Sequence, residues 1–209
     1  MDQLALWGAT HGARRELAQD LSTITSSQWC HRTLCGDWDV EHVLAHLTAA
    51  ASTGPAAWVR SILWAGFRPA VHNQRRLREH LGATPEETLE RFRAVITSSV
   101  APSKDLPAYL GEVLVHGEDI RHPLGMSSVC DVGAATEVAR FYAARNFTVR
   151  SKSVASELRL RASDGPFDAG AGPEVVGPTL ALLMVMAGRA SHLDALDGEG
   201  VATLRSRLS

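Results

Sequence analysis

In Glu112-Val-Leu-Val-His116-Gly-Glu-Asp119 a carboxylate and an imidazole stand four residues apart. That is the separation at which side chains on a helix lie on one face, one turn above the other. Glu112 and His116 can reach a common ion only if their segment is helical, so this stretch constrains the fold more than any other. Val43-Leu-Ala-His46-Leu47 carries another imidazole far upstream, which has to arrive from a different helix. Two imidazole nitrogens and one carboxylate oxygen on a divalent ion such as zinc leave a coordination position free for water or substrate. Plainer readings exist for the same residues. A Glu and His at this spacing also occur as a solvated helix pair, and an inward His46 also occurs as a hydrogen-bonded core histidine.

The surrounding pattern supports helices. Leu4, Leu17 and Leu21 recur at broadly helical intervals over about 3–21. Asp39 is a suitable N-cap for a helix running through Val40, Val43, Leu44 and Leu47, with His46 beside that apolar stripe and facing inward. Pro55 can open a third helix, and Thr84-Pro85-Glu86-Glu87 combines an N1 proline with a capping box ahead of Leu89, Phe92 and Ile96. The segment bearing Glu112 and His116 is predicted to span about 106–121. Pro123 is expected to disfavour helical geometry at His122, and Gly125 to permit a reversal.

After about residue 130 the pattern changes. A helix is predicted around 133–147, a strand at the alternating Glu157-Leu-Arg-Leu-Arg161, a turn at Asp164-Gly165-Pro166, and a further apolar helix over Thr179–Arg189. The expectation is a mainly α protein: a four-helix bundle over residues 1–130, then a small α+β domain over 131–209.

The 209 residues, 45% of them hydrophobic, suffice for a substantial core. Twenty-one basic against 23 acidic residues give a net charge of -2. The basic residues are dispersed, which argues against a nucleic-acid partner. The chain has no run of about 18 apolar residues and no signal-peptide pattern at Met1-Asp-Gln-Leu-Ala-Leu-Trp7, so no membrane partner and a cytoplasmic location are expected. Cys30, Cys35 and Cys130 are odd in number and lack a CxxC spacing, which disfavours a disulfide scaffold and points to buried small hydrophobes. Trp38, Trp58 and Trp64 read as core. No heptad or patch announces an oligomer.

Three motifs together carry a family resemblance: Cys35-Gly-Asp-Trp38-Asp-Val-Glu-His42-Val-Leu-Ala-His46-Leu47; Glu112-Val-Leu-Val-His116-Gly-Glu-Asp119-Ile-Arg121-His-Pro123-Leu-Gly125; and Gly170-Ala-Gly-Pro173 with Ala187-Gly188-Arg189. In order and spacing they resemble the mycothiol-dependent maleylpyruvate isomerase-like proteins, whose N-terminal half is a DinB-like metal-binding four-helix bundle. The similarity runs over nearly the whole chain. It implies that His46, Glu112 and His116 bind a divalent metal, usually taken as zinc, which is the same trio the spacing suggests. It also implies roles for Asp119, three residues beyond His116, and for Arg189 as a C-terminal arginine facing the active site.

Asp119 can equally orient His116 or sit exposed in the last helical turn, while Arg121 and Arg189 can act as charges near helix C-termini. His42, four residues before His46, is expected to support the ligands from behind or to face solvent. As a fourth ligand it would close the site into a structural one.

The implied chemistry is thiol-based. A metal with an open position activates a low-molecular-weight thiol, mycothiol, toward a small electrophilic substrate, in either an isomerase or a thiol S-transferase. The alternative is a non-catalytic DinB-like protein that binds a metal and a small ligand. Substrate choice is expected to rest on positions such as His72, Asn73 and Arg75, because a metal triad does not select a substrate.

Overall fold

The structure, a computed structural model, describes residues 1–209 apart from Ala65, Phe67, Pro102 and Val129, and apart from the side chains of Trp58, Pro69, Ala70 and His72. The expectations for Trp58 and His72 lie outside the described residues. The fold is mainly α, with one small sheet. The chain forms two compact units, Asp2–Ser128 and Val129–Ser209, with Met1 joining the second.

The first unit contains α1 (Gln3–Leu21), a short α2 (Ser26–Trp29), α3 (Val40–Ser52), α4 (Pro55–Trp64), α5 (Pro69–His80), α6 (Pro85–Arg93) and α7 (Leu106–Arg121). Local signals start these helices where the sequence places them. Asp2 caps α1 by accepting from the Ala5 N–H, Asp39 caps α3 by accepting from the His42 N–H, and Thr84 caps α6 through the Glu87 N–H. Helices α1, α3, α6 and α7 share one core built on Leu17, Leu21, Val43, Leu44, Leu47, Leu89, Phe92, Val113 and Ile120. This is the four-helix bundle, with α5 packed alongside α3.

Two polar ties to α1 fasten the bundle. The Arg121 Nε donates to Asp20 Oδ2 at 2.7 Å, joining the end of α7 to α1. The buried Arg14 donates to the Val95 and Ser98 carbonyls at 3.3 and 2.8 Å, satisfying the turn that follows α6. Burial holds the Arg14 guanidinium pKa down to about 10.

Where α7 ends, the structure corrects one expectation. His122 keeps helical angles (φ -57, ψ -52) although a proline follows it. The chain continues in turns to Gly125, which adopts φ +65. There Met126 N–H donates to the Arg121 carbonyl and Gly125 N–H to the His122 carbonyl, the paired bonds of a Schellman motif. The stop is made by the left-handed glycine and not by the proline.

The second unit contains α8 (Val132–Ala144), α9 (Ser151–Ala155), β1 (Arg159–Ala162), β2 (Asp168–Gly170), β3 (Glu174–Gly177), α10 (Thr179–Met186), a 3-10 turn (Ala190–Ala195) and α11 (Val201–Leu208). The sheet order is β2-β1-β3, antiparallel on one side of β1 and parallel on the other, with Leu160 opposite Ala169 and Val175. The alternation in β1 buries Leu160 and Ala162. Arg159 and Arg161 pair instead with Asp168 and Glu174. The strand begins at Arg159, later than the alternation suggests, because Glu157 lies in the left-handed region at φ +57. Gly170 is at φ +84, and a Cβ there would meet the Leu158 carbonyl oxygen at 2.1 Å. Asp164 accepts from the N–H and hydroxyl of Thr179 at 2.8 and 2.6 Å, fixing the start of α10. That helix is apolar all round and buried, and it ends at Met186, ahead of the predicted Arg189.

Further expectations fail on exposure. Trp64 is 81% exposed and so is not core. Cys30 is exposed, and Cys35 and Cys130 are only partly buried, so none of the three is an inert core hydrophobe. Ile96 lies beyond α6, in the turn that follows it. Helix α5 has no counterpart in the sequence reading.

Candidate metal centre

Helices α3 and α7 pack directly against each other in the bundle. Val43, Leu44 and Leu47 of α3 and Val113 of α7 are buried in the shared core, which rotates the adjoining positions His46, Glu112 and His116 toward one another. His46 Nε2 lies 3.1 Å from Glu112 Oε2, and His116 Nε2 lies 3.5 Å from the same oxygen. One ligand atom from each of the three residues falls within 4.8 Å of the others. A tetrahedral ion with bonds of about 2.0–2.2 Å spans donor atoms separated by roughly 3.4 Å, so the donor set and spacing fit a divalent metal such as zinc.

The shell behind the trio is equally ordered. His116 Nδ1 is 2.9 Å from Asp119 Oδ2, and the Asp119 side chain has no solvent exposure. With Nδ1–H donated to this carboxylate, the Nε2 lone pair is left facing Glu112, which is the tautomer a metal needs. The Trp38 ring tilts against His46 with centroids 5.1 Å apart, and the His46 and His116 rings meet edge-on at 5.0 Å. The side chains of His46, Glu112 and His116 retain 13, 25 and 12% exposure, so the trio is not sealed from solvent.

Electrostatics follow from this crowding. Burial opposes charge on Glu112, but hydrogen bonds and attraction from His116 and His46 outweigh it and hold the carboxyl well below its usual range. Burial likewise opposes charge on His116, yet the neighbouring Asp119, Cys35 and Glu112 side chains raise its pKa well above 6.5. Without an ion, the pair is therefore a buried carboxylate against an imidazolium.

The remaining candidates are placed as follows. His42 is not part of the trio. Its Nδ1 lies 2.6 Å from Asp39 Oδ1, in the cap of α3. Asp119 orients His116 and is not an exposed last-turn residue. Arg189 belongs to the second unit, where it precedes the 3-10 turn and its Nη1 donates to the Ala187 carbonyl at 2.6 Å. Arg75 donates to the Ser61 hydroxyl at 2.7 Å and lies beside the Trp64 ring.

One neighbour of the centre escaped the sequence reading. Cys35 places its sulfur within 4.8 Å of a ring nitrogen of His116 and a carboxylate oxygen of Asp119. The Leu34 N–H donates to the Asp119 carbonyl at 3.1 Å and fastens this loop to the end of α7. A backbone contact of that kind leaves no residue pattern to read, although Cys35 opens the first of the three motifs.

Among the described residues, no helix is long and apolar enough to cross a membrane.

Residues 10–108 match the family model described as the mycothiol maleylpyruvate isomerase N-terminal domain. No curated protein matches the sequence. Among solved structures, the crystal structure of the mycothiol-dependent maleylpyruvate isomerase aligns with a TM-score of 0.62 at 17% identity, over 95% of this chain and 93% of that one. A histidine-to-alanine mutant of that isomerase aligns with the same TM-score, identity and coverage. At that identity the likeness concerns the fold. Over residues 10–108, then, the chain is similar to the mycothiol maleylpyruvate isomerase N-terminal domain, and as a whole it has the fold of the mycothiol-dependent maleylpyruvate isomerase.

Proposed function

We propose that this chain is a mycothiol-dependent metalloenzyme, isomerase-like or thiol-transferring, with His46, Glu112 and His116 as the ligands of one divalent metal, zinc in the simplest case. The observation that carries the reading is the convergence of three donor atoms from α3 and α7 in front of a buried carboxylate that orients one of them. Similarity to the isomerase supplies the substrate class.

A metal held there would offer an open position for a thiol and lower its pKa, so that the sulfur is a nucleophile near neutral pH. The protein's own groups prepare that chemistry. Glu112 is ionised throughout the neutral range because His46 and His116 face it. Asp119 holds the Nδ1 proton of His116 and keeps Nε2 turned to the site. Trp38 walls the His46 side with an apolar surface.

In an isomerase the thiol sulfur adds to the cis double bond of maleylpyruvate, rotation follows about the new single bond, and the thiol leaves to give the trans isomer. In a transferase the sulfur adduct is released instead. Arg189 is proposed as the partner of a substrate carboxylate, because a guanidinium pairs such a group in bidentate fashion. Glu112 binds and does not shuttle protons on this account, since its lowered pKa makes it a poor base.

The test is turnover of maleylpyruvate by zinc-loaded protein with and without mycothiol, with mass spectrometry of thiol adducts formed from a panel of small electrophiles. Turnover or conjugation that requires both metal and thiol is the expected result. Stoichiometric metal with neither activity would favour the non-catalytic, ligand-binding alternative.

A further inference from the structure

The geometry points to Cys35 as a positioning residue of the metal centre, acting on His116 through the shared Asp119 carboxylate. The inference rests on the metal reading above and extends it to a residue that the spacing argument does not reach.

Three observations support it. The loop that carries Cys35 is built to hold a fixed place: Leu34 N–H donates to the Asp119 carbonyl at 3.1 Å, Cys35 N–H donates to the Thr33 hydroxyl at 3.1 Å, and Trp38 N–H donates to the Cys35 carbonyl at 3.2 Å. The sulfur, a His116 nitrogen and an Asp119 oxygen fall within 4.8 Å of one another, so the thiol stands beside both the ligand and the carboxylate that orients it. Asp119 is fully buried, and a buried carboxylate needs donors around it to remain charged.

A thiol is a weak donor and a weak acceptor. Beside the Asp119 carboxylate it can help keep that group in place against the Nδ1–H of His116 without competing strongly for that proton. A charged or strongly basic neighbour would pull His116 away from the metal-binding tautomer, and an apolar one would leave the Asp119 carboxylate with one polar neighbour fewer on the His116 side. Cys35 falls outside the His46, Glu112 and His116 group, so its action is on the orientation of a ligand.

The experiment is zinc binding by the metal-free full-length chain, measured by competition with a chromophoric chelator for wild type, Cys35→Ala, Cys35→Ser and the double variant of Cys35→Ala with Asp119→Asn. Thermal melting of each metal-free form serves as a check on folding. Outer-shell partners of metal ligands typically contribute 10- to 100-fold in affinity. Because the thiol is the weaker of two partners, Cys35→Ala should bind zinc about 10-fold more weakly, and Cys35→Ser should recover most of that loss. In the Asp119→Asn background the Cys35→Ala change should add little, since the carboxylate through which it acts is gone.

Cobalt substitution supplies a second readout. Absence of a sulfur-to-cobalt charge-transfer band is expected, and its presence would make Cys35 a direct ligand and overturn the inference. Equal zinc affinity in wild type and Cys35→Ala would overturn it too, leaving the metal reading intact. A wild type that binds no zinc would remove the metal reading itself and this inference with it.

Discussion

His116 Nδ1 lies 2.9 Å from Asp119 Oδ2, and the Asp119 side chain is wholly excluded from solvent. Three residues apart on α7, the two face each other across one helical turn. The contact sets which nitrogen of His116 is free. Two consequences follow for this pair, one for affinity and one for pH.

Asp119→Asn keeps the shape of the side chain and removes its charge. It should weaken zinc binding by about 10- to 100-fold, the range typical of outer-shell carboxylates, while the metal-free protein remains folded. Competition titration against a chelator checks this, with far-ultraviolet circular dichroism to follow the fold. An unchanged affinity would mean that Asp119 has only a structural role.

The pH dependence follows from opposite shifts. Glu112 is held below its ordinary 4.5, so its contribution to stability is present above that value and is lost as pH falls through its folded pKa. His116 is raised above 6.5, so its contribution is complete below that value and is lost as pH rises through its folded pKa. Metal-free protein should therefore melt highest between about pH 4.5 and 6.5 as far as this pair is concerned. Zinc has to displace the His116 proton, so apparent zinc affinity should climb about tenfold per pH unit up to the raised pKa, through 6.5 and beyond, and level off past it. Melting curves and zinc titrations across pH 4 to 9 would show both trends, and a flat zinc affinity above pH 6.5 would contradict the second.

The legibility of this fold in the sequence varied with the physics behind each element. Helices α1, α3, α6 and α7 carry capping side chains or apolar stripes, and those signals are local, so they survive into the structure. Helix α5 was missed because its sequence, Pro-Ala-Val-His-Asn-Gln-Arg-Arg-Leu-Arg-Glu-His, offers little apolar periodicity. Its docking rests on Leu77, which is fully buried, and on tertiary bonds such as Arg76 to Thr53. The trio of His46, Glu112 and His116 was readable as candidates, two from helical spacing and one from its place beside a stripe. The approach of both imidazoles to one Glu112 oxygen, at 3.1 and 3.5 Å, is a packing result. Cys35 was unreadable as a neighbour because a turn and one backbone hydrogen bond deliver it.

Arg189 is proposed to pair with a substrate carboxylate and has no part in the trio of candidate ligands. Arg189→Gln removes the charge and the bidentate geometry. It should raise KM for a carboxylate substrate by about 10-fold or more, the scale of a lost charge-assisted hydrogen bond, with zinc content unchanged. Steady-state kinetics on maleylpyruvate beside elemental analysis of the same sample would check it. An unaltered KM would remove Arg189 from the site.

The central claim is that His46, Glu112 and His116 hold one metal ion, and its most direct test is zinc stoichiometry. Purified full-length wild type, His46→Ala, Glu112→Ala and His116→Ala would be reconstituted with zinc, desalted and measured by elemental analysis. The account predicts one zinc per chain for wild type and a large loss in each variant, with the variants still helical. A wild type without zinc after reconstitution, or variants that keep their full complement, would contradict it.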